Sequence, residues 1–116
     1  MRIIHMFIKN YTIKFKHASV RQLNQVDLLK YTPNGKYEIH VDHDLLSQRT
    51  LTCIINLNED YEGGDFIFCD PVTDKEIKRI KCKKGTMIFF PSSFLFPHKI
   101  EPITKGTRYS IVSWLI

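Results

Sequence analysis

Hydrophobic and polar residues alternate along most of the chain, which is the pattern of half-buried β-strands. The segment RTLTCIINLN shows it well, because every second residue from Leu51 to Leu57 is apolar and falls on one face of an extended chain. Alternation also predicts a strand at Tyr11, Ile13 and Phe15. Further strands are predicted over residues 27–31, 36–42, 65–69, 76–82, 86–90, 98–102 and 107–115.

Short turn sequences rich in glycine, proline and asparagine separate these segments, such as PNG at 33–35 and GG at 63–64. Residues 18–25 are predicted to form the one helical turn. Many short strands with frequent turns are typical of an all-β sandwich, barrel or jelly roll. The pattern therefore predicts an all-β (mainly β) fold.

Length and composition narrow the class of protein. A chain of 116 residues predicts a single domain, 1–116. The longest apolar runs are far too short to span a bilayer, and the N-terminus does not resemble a signal peptide. The cysteines are odd in number and form no CxxC pair, which favours a reducing, cytoplasmic location.

The net charge of +5 favours anionic ligands. Five lysines between residues 75 and 84 contribute much of it, but no aromatic residues are interleaved with them. Because a nucleic-acid surface usually combines basic and aromatic side chains, we interpret this segment as solvated. No specific nucleic-acid partner and no membrane association are expected.

The candidate chemistry lies at strand ends. His40 and Asp42 are two residues apart, so they share one face of a strand. This HxD spacing is common by chance, but His98 follows a proline-containing loop, and Arg108 and Ser110 follow ten and twelve residues later. Two histidines and one carboxylate form the ligand set of non-haem Fe(II) oxygenases. An arginine nearby can hold a carboxylate of a second ligand through a bidentate pair.

Three strings extend this pattern in order: LLKYTPNGKYEIHVD, RTLTCIINLNEDYEGGDFIF and KGTMIFFPSSFLFPHKIEPITKGTRYSIVSWL. Through them, residues 25–116 resemble the Fe(II)/2-oxoglutarate-dependent dioxygenases, specifically the prolyl 4-hydroxylase-like branch. The resemblance implies a double-stranded β-helix, or jelly roll, with few or no supporting helices. It implies Fe(II), 2-oxoglutarate and O2 as cofactors, with ascorbate as a reductant.

The resemblance also assigns roles by position. It implies iron ligation by His40, Asp42 and His98. Arg108 matches the basic residue that pairs with the far carboxylate of 2-oxoglutarate. Further contacts to the cosubstrate are implied or expected for three residues: Tyr31, Ser110 and Asn56. Asn56 stands where oxygen-sensing relatives have a tyrosine, and we expect it to act as a hydrogen-bond donor.

The expected substrate is a prolyl residue in a peptide or protein. Tyr37, Arg49 and Trp114 match positions that line the substrate cleft in relatives. Residues 43–48 follow the HxD segment and are a candidate lid. Relatives usually carry several helices before the barrel, whereas 39 residues precede His40, so we expect a minimal or N-terminally truncated domain.

The sequence is also compatible with three other functions. A free amino acid or small metabolite could replace the peptide, because the metal and cosubstrate residues do not distinguish these substrates. A nucleic-acid dealkylase is less favoured, since the second arginine typical of that branch is replaced by Trp114. A non-catalytic jelly-roll binding module is the third alternative.

Overall fold

The structure, a computed structural model, describes residues 2–116. Within them it has one α-helix and ten β-strands. In chain order they are α1 (Arg2–Lys14), β1 (Leu23–Tyr31), β2 (Tyr37–His40), β3 (Leu51–Asn56), β4 (Glu62–Gly63), β5 (Phe66–Cys69), β6 (Glu76–Ile80), β7 (Met87–Pro91), β8 (His98–Ile100), β9 (Ile103–Lys105) and β10 (Arg108–Leu115).

The strands form two four-stranded antiparallel sheets and one small ladder. The major sheet has the order β1-β10-β3-β7, the minor sheet has the order β2-β8-β5-β6, and β4 pairs with β9. Neighbouring strands are often distant in sequence, as expected for a jelly roll. The predicted all-β fold is confirmed, and all but one of the predicted strands match an observed one.

The core lies between the two sheets. Ile54, Ile88 and Val112 from the major sheet pack with Phe66 and Ile100 from the minor sheet. Because side chains alternate along a strand, the neighbours of Val112 that share its face, at positions 110 and 114, also point between the sheets. This interior face carries the polar residues of the candidate site.

The N-terminal segment is a helix, so the strand predicted at Tyr11, Ile13 and Phe15 is wrong. Ile4, Ile8 and Tyr11 recur with the spacing of one helix face, and this stripe over 13 residues outweighs a short alternation. Ile4 is buried, and the Tyr11 ring lies 4.9 Å from that of Phe89 in β7. In residues 2–116, no helix combines the length and apolar character needed to cross a membrane.

The helical turn predicted over residues 18–25 is also wrong. The backbone amides of Arg21 and Gln22 donate to the carbonyl of Ile116, and the amide of Ile116 donates to the carbonyl of Gln22. These bonds hold the segment extended and lead it into β1. Pairing with a distant part of the chain therefore overrides the local preference.

Candidate metal and cosubstrate site

The two candidate histidines are brought together by strand pairing. His40 ends β2, His98 begins β8, and the two are directly opposite each other in the minor sheet. Asp42 follows β2 and places Oδ1 3.4 Å from the Nε2 of His40 and 3.5 Å from the Nε2 of His98. One ligand atom from each of the three residues lies within 4.8 Å of the others.

Backbone hydrogen bonds fix both imidazoles for metal binding. The Nδ1 of His40 lies 2.7 Å from the carbonyl oxygen of Glu38, and the Nδ1 of His98 lies 3.0 Å from that of Phe96. Since a carbonyl only accepts, each Nδ1 carries the proton and donates it. Each Nε2 therefore directs an unprotonated lone pair towards Asp42, which is how metal-binding histidines are usually oriented.

Asp42 is buried, with 7% of its surface exposed. Its Oδ2 does not face the histidines and has a hydrogen-bond partner of its own. Oδ2 accepts a hydrogen bond of 2.6 Å from the hydroxyl of Thr52. Burial raises the pKa of Asp42, but its polar contacts with His40, His98 and Thr52 outweigh this effect and hold the pKa well below its usual value. Two imidazoles and one carboxylate form a ligand set that fits Fe(II).

A cavity of about 390 Å³ opens beside these three residues, between the two sheets. It brings together every predicted site residue except Asn56. The predicted residues that line it are Tyr31, Tyr37, His40, Asp42, Arg49, His98, Arg108, Ser110 and Trp114. One open cavity thus joins the candidate metal ligands, the candidate cosubstrate residues and the candidate substrate residues.

Arg108 is a buried cation at the start of β10, with 1% of its surface exposed. Within residues 2–116, no carboxylate forms an ion pair with it. Its Nη2 and the hydroxyl of Ser110 are buried without a hydrogen-bond partner, and its guanidinium carbon lies 5.4 Å from the centre of the Tyr31 ring. A buried charge without a partner is costly, so these groups fit an anionic part of a ligand.

Asn56 lies behind Arg108, and its geometry differs from the expected role. Its Oδ1 accepts a 2.9 Å hydrogen bond from Nε of Arg108. Its Nδ2, which has two protons to donate, lies 2.6 Å from the carbonyl oxygen of Asn58, 3.1 Å from that of Cys82 and 3.1 Å from the hydroxyl of Tyr61. The amide therefore orients Arg108, and its donors are used within the protein.

The candidate substrate residues lie at the mouth of the cavity. Tyr37 is 51% exposed, and its ring centre lies 4.0 Å from that of His40. The guanidinium carbon of Arg49 lies 3.7 Å above the Trp114 ring, a close cation–π contact. Within the described part of the chain, neither the Nε of Arg49 nor the indole nitrogen of Trp114 has a hydrogen-bond partner, although both are buried, so both are candidate donors to a substrate.

Two residues that contribute to the site were not predicted. Thr52 donates to Asp42, and the Ser92 hydroxyl lies 2.8 Å from that of Thr52. Thr52 shares a face of β3 with the core residue Ile54. The alternation from Leu51 to Leu57 marks the other face of this strand as the apolar one, so it did not indicate Thr52. Ser92 carried no signal either, since it follows the end of β7.

Comparison with known proteins agrees with this geometry. Residues 26–116 match the family described as the 2OG-Fe(II) oxygenase superfamily. The chain therefore belongs to that superfamily. Its expected cofactors, Fe(II), 2-oxoglutarate and O2, are those of the family.

Among curated relatives, a PKHD-type hydroxylase of Janthinobacterium sp. is 38% identical over 96 residues, and one of Alteromonas mediterranea is 31% identical over 96 residues. Each match covers 74% of this chain and 40% of the relative. Prolyl 3-hydroxylase 2 of Homo sapiens is 32% identical over 92 residues, covering 67% of this chain and 13% of that protein. The chain thus spans about two-fifths of the bacterial relatives.

Solved structures share the fold. A prolyl hydroxylase from Trichoplax adhaerens, in complex with a hypoxia inducible factor peptide fragment, gives a TM-score of 0.82 at 19% identity, covering 97% of this chain and 52% of that chain. A Pseudomonas putida prolyl-4-hydroxylase gives 0.78 at 18% identity, covering 97% and 60%. The expected double-stranded β-helix is confirmed.

Proposed function

We propose that residues 1–116 form a dioxygenase domain that hydroxylates a prolyl residue in a peptide or protein, using Fe(II), 2-oxoglutarate and O2. One observation carries this proposal: the buried, unpaired Arg108 faces the same cavity as the candidate metal ligands. A cavity that offers three metal ligands and an anion-binding cation suits a cosubstrate with both a chelating end and a carboxylate end.

In this proposal, His40, Asp42 and His98 hold the metal through the two Nε2 atoms and one carboxylate oxygen. Fe(II) held there would activate O2, which is the oxidant, and 2-oxoglutarate would supply two electrons and leave as succinate and CO2, so that one oxygen atom of O2 enters succinate and the other enters the C–H bond. The protein's own contribution is to keep the ligands deprotonated and oriented. It does so with the backbone carbonyls of Glu38 and Phe96 and the hydroxyl of Thr52.

Arg108 and Ser110 are proposed to bind the far carboxylate of 2-oxoglutarate, because each has a buried polar atom without a partner. Tyr31 closes this end of the cavity beside the Arg108 guanidinium. Asn56 is proposed to support the cosubstrate indirectly, by fixing the direction of the Arg108 side chain. Preorganised donors of this kind bind an anion without reorganisation.

The proposed peptide substrate is supported by the mouth of the cavity. Tyr37 and Trp114 offer aromatic faces on which a rigid, apolar proline ring can pack. Arg49 and Trp114 also offer unpaired N–H groups for peptide carbonyls. Relatives named as prolyl hydroxylases, and a related structure with a peptide bound, support the same substrate class.

The proposal can be tested through succinate formation from 2-oxoglutarate. His40→Ala or His98→Ala removes one of three metal ligands and should abolish Fe(II)-dependent succinate formation. His17→Ala removes an exposed histidine far from the ligand set in sequence and serves as the control. Full activity in His40→Ala would contradict the metal assignment.

A matched experiment tests the cosubstrate residue. Loss of one partner of a buried charge pair costs about 3–5 kcal/mol, so Arg108→Ala should raise the 2-oxoglutarate concentration required by on the order of a hundredfold or more. Affinity for the metal alone should change far less. An unchanged requirement would show that another residue holds the carboxylate.

The substrate class is tested separately by offering proline-containing peptides and free amino acids in parallel. A gain of one oxygen atom in mass should be found on a peptide. Hydroxylation confined to free amino acids would overturn the peptide substrate and leave the dioxygenase assignment in place.

A further inference from the structure

The two oxygens of Asp42 have different surroundings. Oδ1 faces the Nε2 atoms of both histidines. Oδ2 is turned away from them and accepts a hydrogen bond from the hydroxyl of Thr52. A carboxylate with one oxygen committed in this way presents only the other to a metal.

A second hydroxyl fixes the first. The Thr52 hydroxyl has a single proton, which it donates to Oδ2 of Asp42. The 2.8 Å contact between Thr52 and Ser92 must then be donated by Ser92. Thr52 is fully buried and Ser92 is 1% exposed, so water does not compete for these bonds.

Ser92 is itself held by its backbone. Its amide donates to the carbonyl of Thr50 at 3.0 Å, and its carbonyl accepts from the amide of His43 at 3.0 Å. It therefore joins the segment that follows Asp42, the approach to β3 and the end of β7.

We infer that Thr52 and Ser92 are positioning residues that fix Asp42 as a ligand through Oδ1 alone. This inference rests on the metal site of the proposed function. Hydrogen-bond partners of metal ligands typically contribute ten- to hundredfold in metal affinity. Without Thr52, Oδ2 is buried without its donor and the carboxylate is free to rotate about its χ2 angle.

The test measures metal affinity directly, with Mn(II) and Co(II) in the absence of cosubstrate. Thr52→Val keeps the side-chain shape and removes the hydroxyl, so we expect metal binding to weaken by about ten- to hundredfold. Thr52→Ser should restore most of the affinity. Ser92→Ala leaves the bond from Thr52 to Asp42 in place and should weaken binding less than Thr52→Val does.

Ser113→Ala is the matched control, because Ser113 is a fully buried hydroxyl on the opposite face of the same sheet. It should leave metal affinity unchanged. Wild-type affinity in Thr52→Val, or an equal loss in Ser113→Ala, would overturn the inference. If Thr52→Val does not fold, an unchanged affinity in Ser92→Ala together with no change of the Co(II) absorption spectrum would overturn it. Failure of the wild-type protein to bind either metal would contradict the proposed function instead.

A second, independent observation concerns a groove next to the active-site cavity. The groove has a volume of about 850 Å³, and Arg49 lines both spaces, so the groove and the cavity adjoin each other at this residue. Its walls are the segment before and at the start of β1, residues 43–50, and the end of the chain. The polar side chains that line it include those of Arg21, Gln25, His43 and Arg49.

The charged side chains that line this groove are arginines. Two arginines and one histidine line it, and no aspartate or glutamate among residues 2–116 does so. Arg21 is exposed and forms no ion pair within the same residues. The nearby Asp44 lines the cavity, and its carboxylate accepts hydrogen bonds from the backbone amides of Leu46 and Ser47. These bonds and the charge of Arg49 lower its pKa, so Asp44 offsets part of the positive charge of Arg49 and leaves Arg21 as the free cation of the groove among residues 2–116.

We propose that this groove binds an acidic segment of the substrate polypeptide next to the hydroxylated residue. The proposal depends on the peptide substrate of the proposed function. Charge complementarity at a solvated rim acts on encounter and specificity, with about 0.2–1 kcal/mol for each exposed pair. A substrate with two or three acidic residues beside the target proline should therefore have a KM several-fold lower than its neutral counterpart.

The experiment compares three proline peptides that differ only in flanking residues: acidic, neutral or basic. The wild-type protein should prefer the acidic peptide, the preference should weaken at high salt, and Arg21→Glu should reverse it. Lys30→Glu, the same charge change on the outer face of β1, should leave the preference unchanged. Equal KM values for the three peptides would overturn the proposal. Absence of hydroxylation of every peptide would contradict the proposed function itself.

Discussion

At the scale of single residues, the site is built from groups that a stable core would not contain. Arg108 is buried, has one hydrogen bond to Asn56, and has no ion-pair partner within residues 2–116. Such a group lowers the stability of the ligand-free protein and favours binding of an anion. Function and stability are therefore opposed at this position.

Arg108→Met should raise the free energy of unfolding of the ligand-free protein. Replacing a buried cation that has no ion-pair partner with an apolar side chain should stabilise the folded state by several kcal/mol. The side-chain Oδ1 of Asn56 would lose its donor, which costs about 1–3 kcal/mol. Thermal unfolding with and without 2-oxoglutarate and Mn(II) measures both effects, and the variant should lose the stabilisation by 2-oxoglutarate. A ligand-free variant less stable than wild type would contradict this expectation, and Lys30→Met is the control for general hydrophobic substitution.

Cys53 should make stability depend on alkaline pH. It is fully buried in β3, and burial raises its pKa to about 11. Because the folded protein holds this proton more tightly than the unfolded chain, the stabilisation is complete below about pH 9 and is lost as pH rises towards 11. The difference corresponds to about 2–3 kcal/mol.

Chemical denaturation at about pH 8 and about pH 11 tests this linkage. Cys53→Ala should show a smaller loss of stability between the two pH values than the wild-type protein. An identical loss would show that other groups, such as the lysines, account for all of the alkaline destabilisation.

The sequence pattern predicted the candidate ligand residues better than the residues that orient them through hydrogen bonds. His40, Asp42, His98 and Arg108 stand out because their residue types and order match a known chemistry. The bond between Thr52 and Ser92 joins positions 40 residues apart in sequence, and nothing local to either residue indicates it. The amide orientation of Asn56 likewise depends on carbonyls contributed by other loops.

At the scale of elements, the Gly63-Gly64 turn connects the small β4–β9 ladder to the cosubstrate end of the cavity. Gly64 has φ +68°, and a Cβ there would lie 2.3 Å from Cδ1 of Ile103 and 3.4 Å from Cδ of Arg108. Ile103 is fully buried, so it has little room to move. The glycine therefore permits a close approach between this turn and Arg108.

Gly64→Ala should destabilise the protein and weaken 2-oxoglutarate binding. The left-handed backbone and the overpacking against Ile103 together cost about 2–4 kcal/mol. Gly85→Ala is a matched control, because Gly85 has φ +81° but no atom within 4 Å of the position that an added methyl group would take. It should cost about 1 kcal/mol and leave cosubstrate affinity unchanged. Equal effects of the two variants, measured by unfolding and by 2-oxoglutarate titration, would contradict a role for packing against Ile103.

Helix α1 shows where period-based prediction fails. Tyr11, Ile13 and Phe15 alternate over only five residues, which is too short to separate a strand from a helix. The helical stripe that begins at Ile4 extends over more of the segment and decides the outcome. For β1, the opposite holds, since its first residues are extended because β10 pairs with them.

At the scale of the whole molecule, the barrel formed by the two four-stranded sheets and the helix α1 differ in their stability against local unfolding. Strands β3 and β10 are paired on both sides within the major sheet. Helix α1 has 13 residues, about the length at which isolated helices are marginal in water. Ile4 is its buried residue, and the ring of Tyr11 contacts that of Phe89 in β7.

Hydrogen exchange should therefore separate the two parts. We expect the amides of α1 to exchange through local opening, at least about a hundredfold faster than those of β3 and β10, which require global unfolding. Addition of Mn(II) and 2-oxoglutarate should slow exchange in β3 and β10, because the ligands bind only the folded barrel and stabilise it against global unfolding. Exchange in α1 should be nearly unchanged, because the helix opens locally while the ligands stay bound. Mass spectrometry of peptic fragments resolves these segments. Protection of α1 equal to that of β3 would mean that the helix is an integral part of the barrel's cooperative unit.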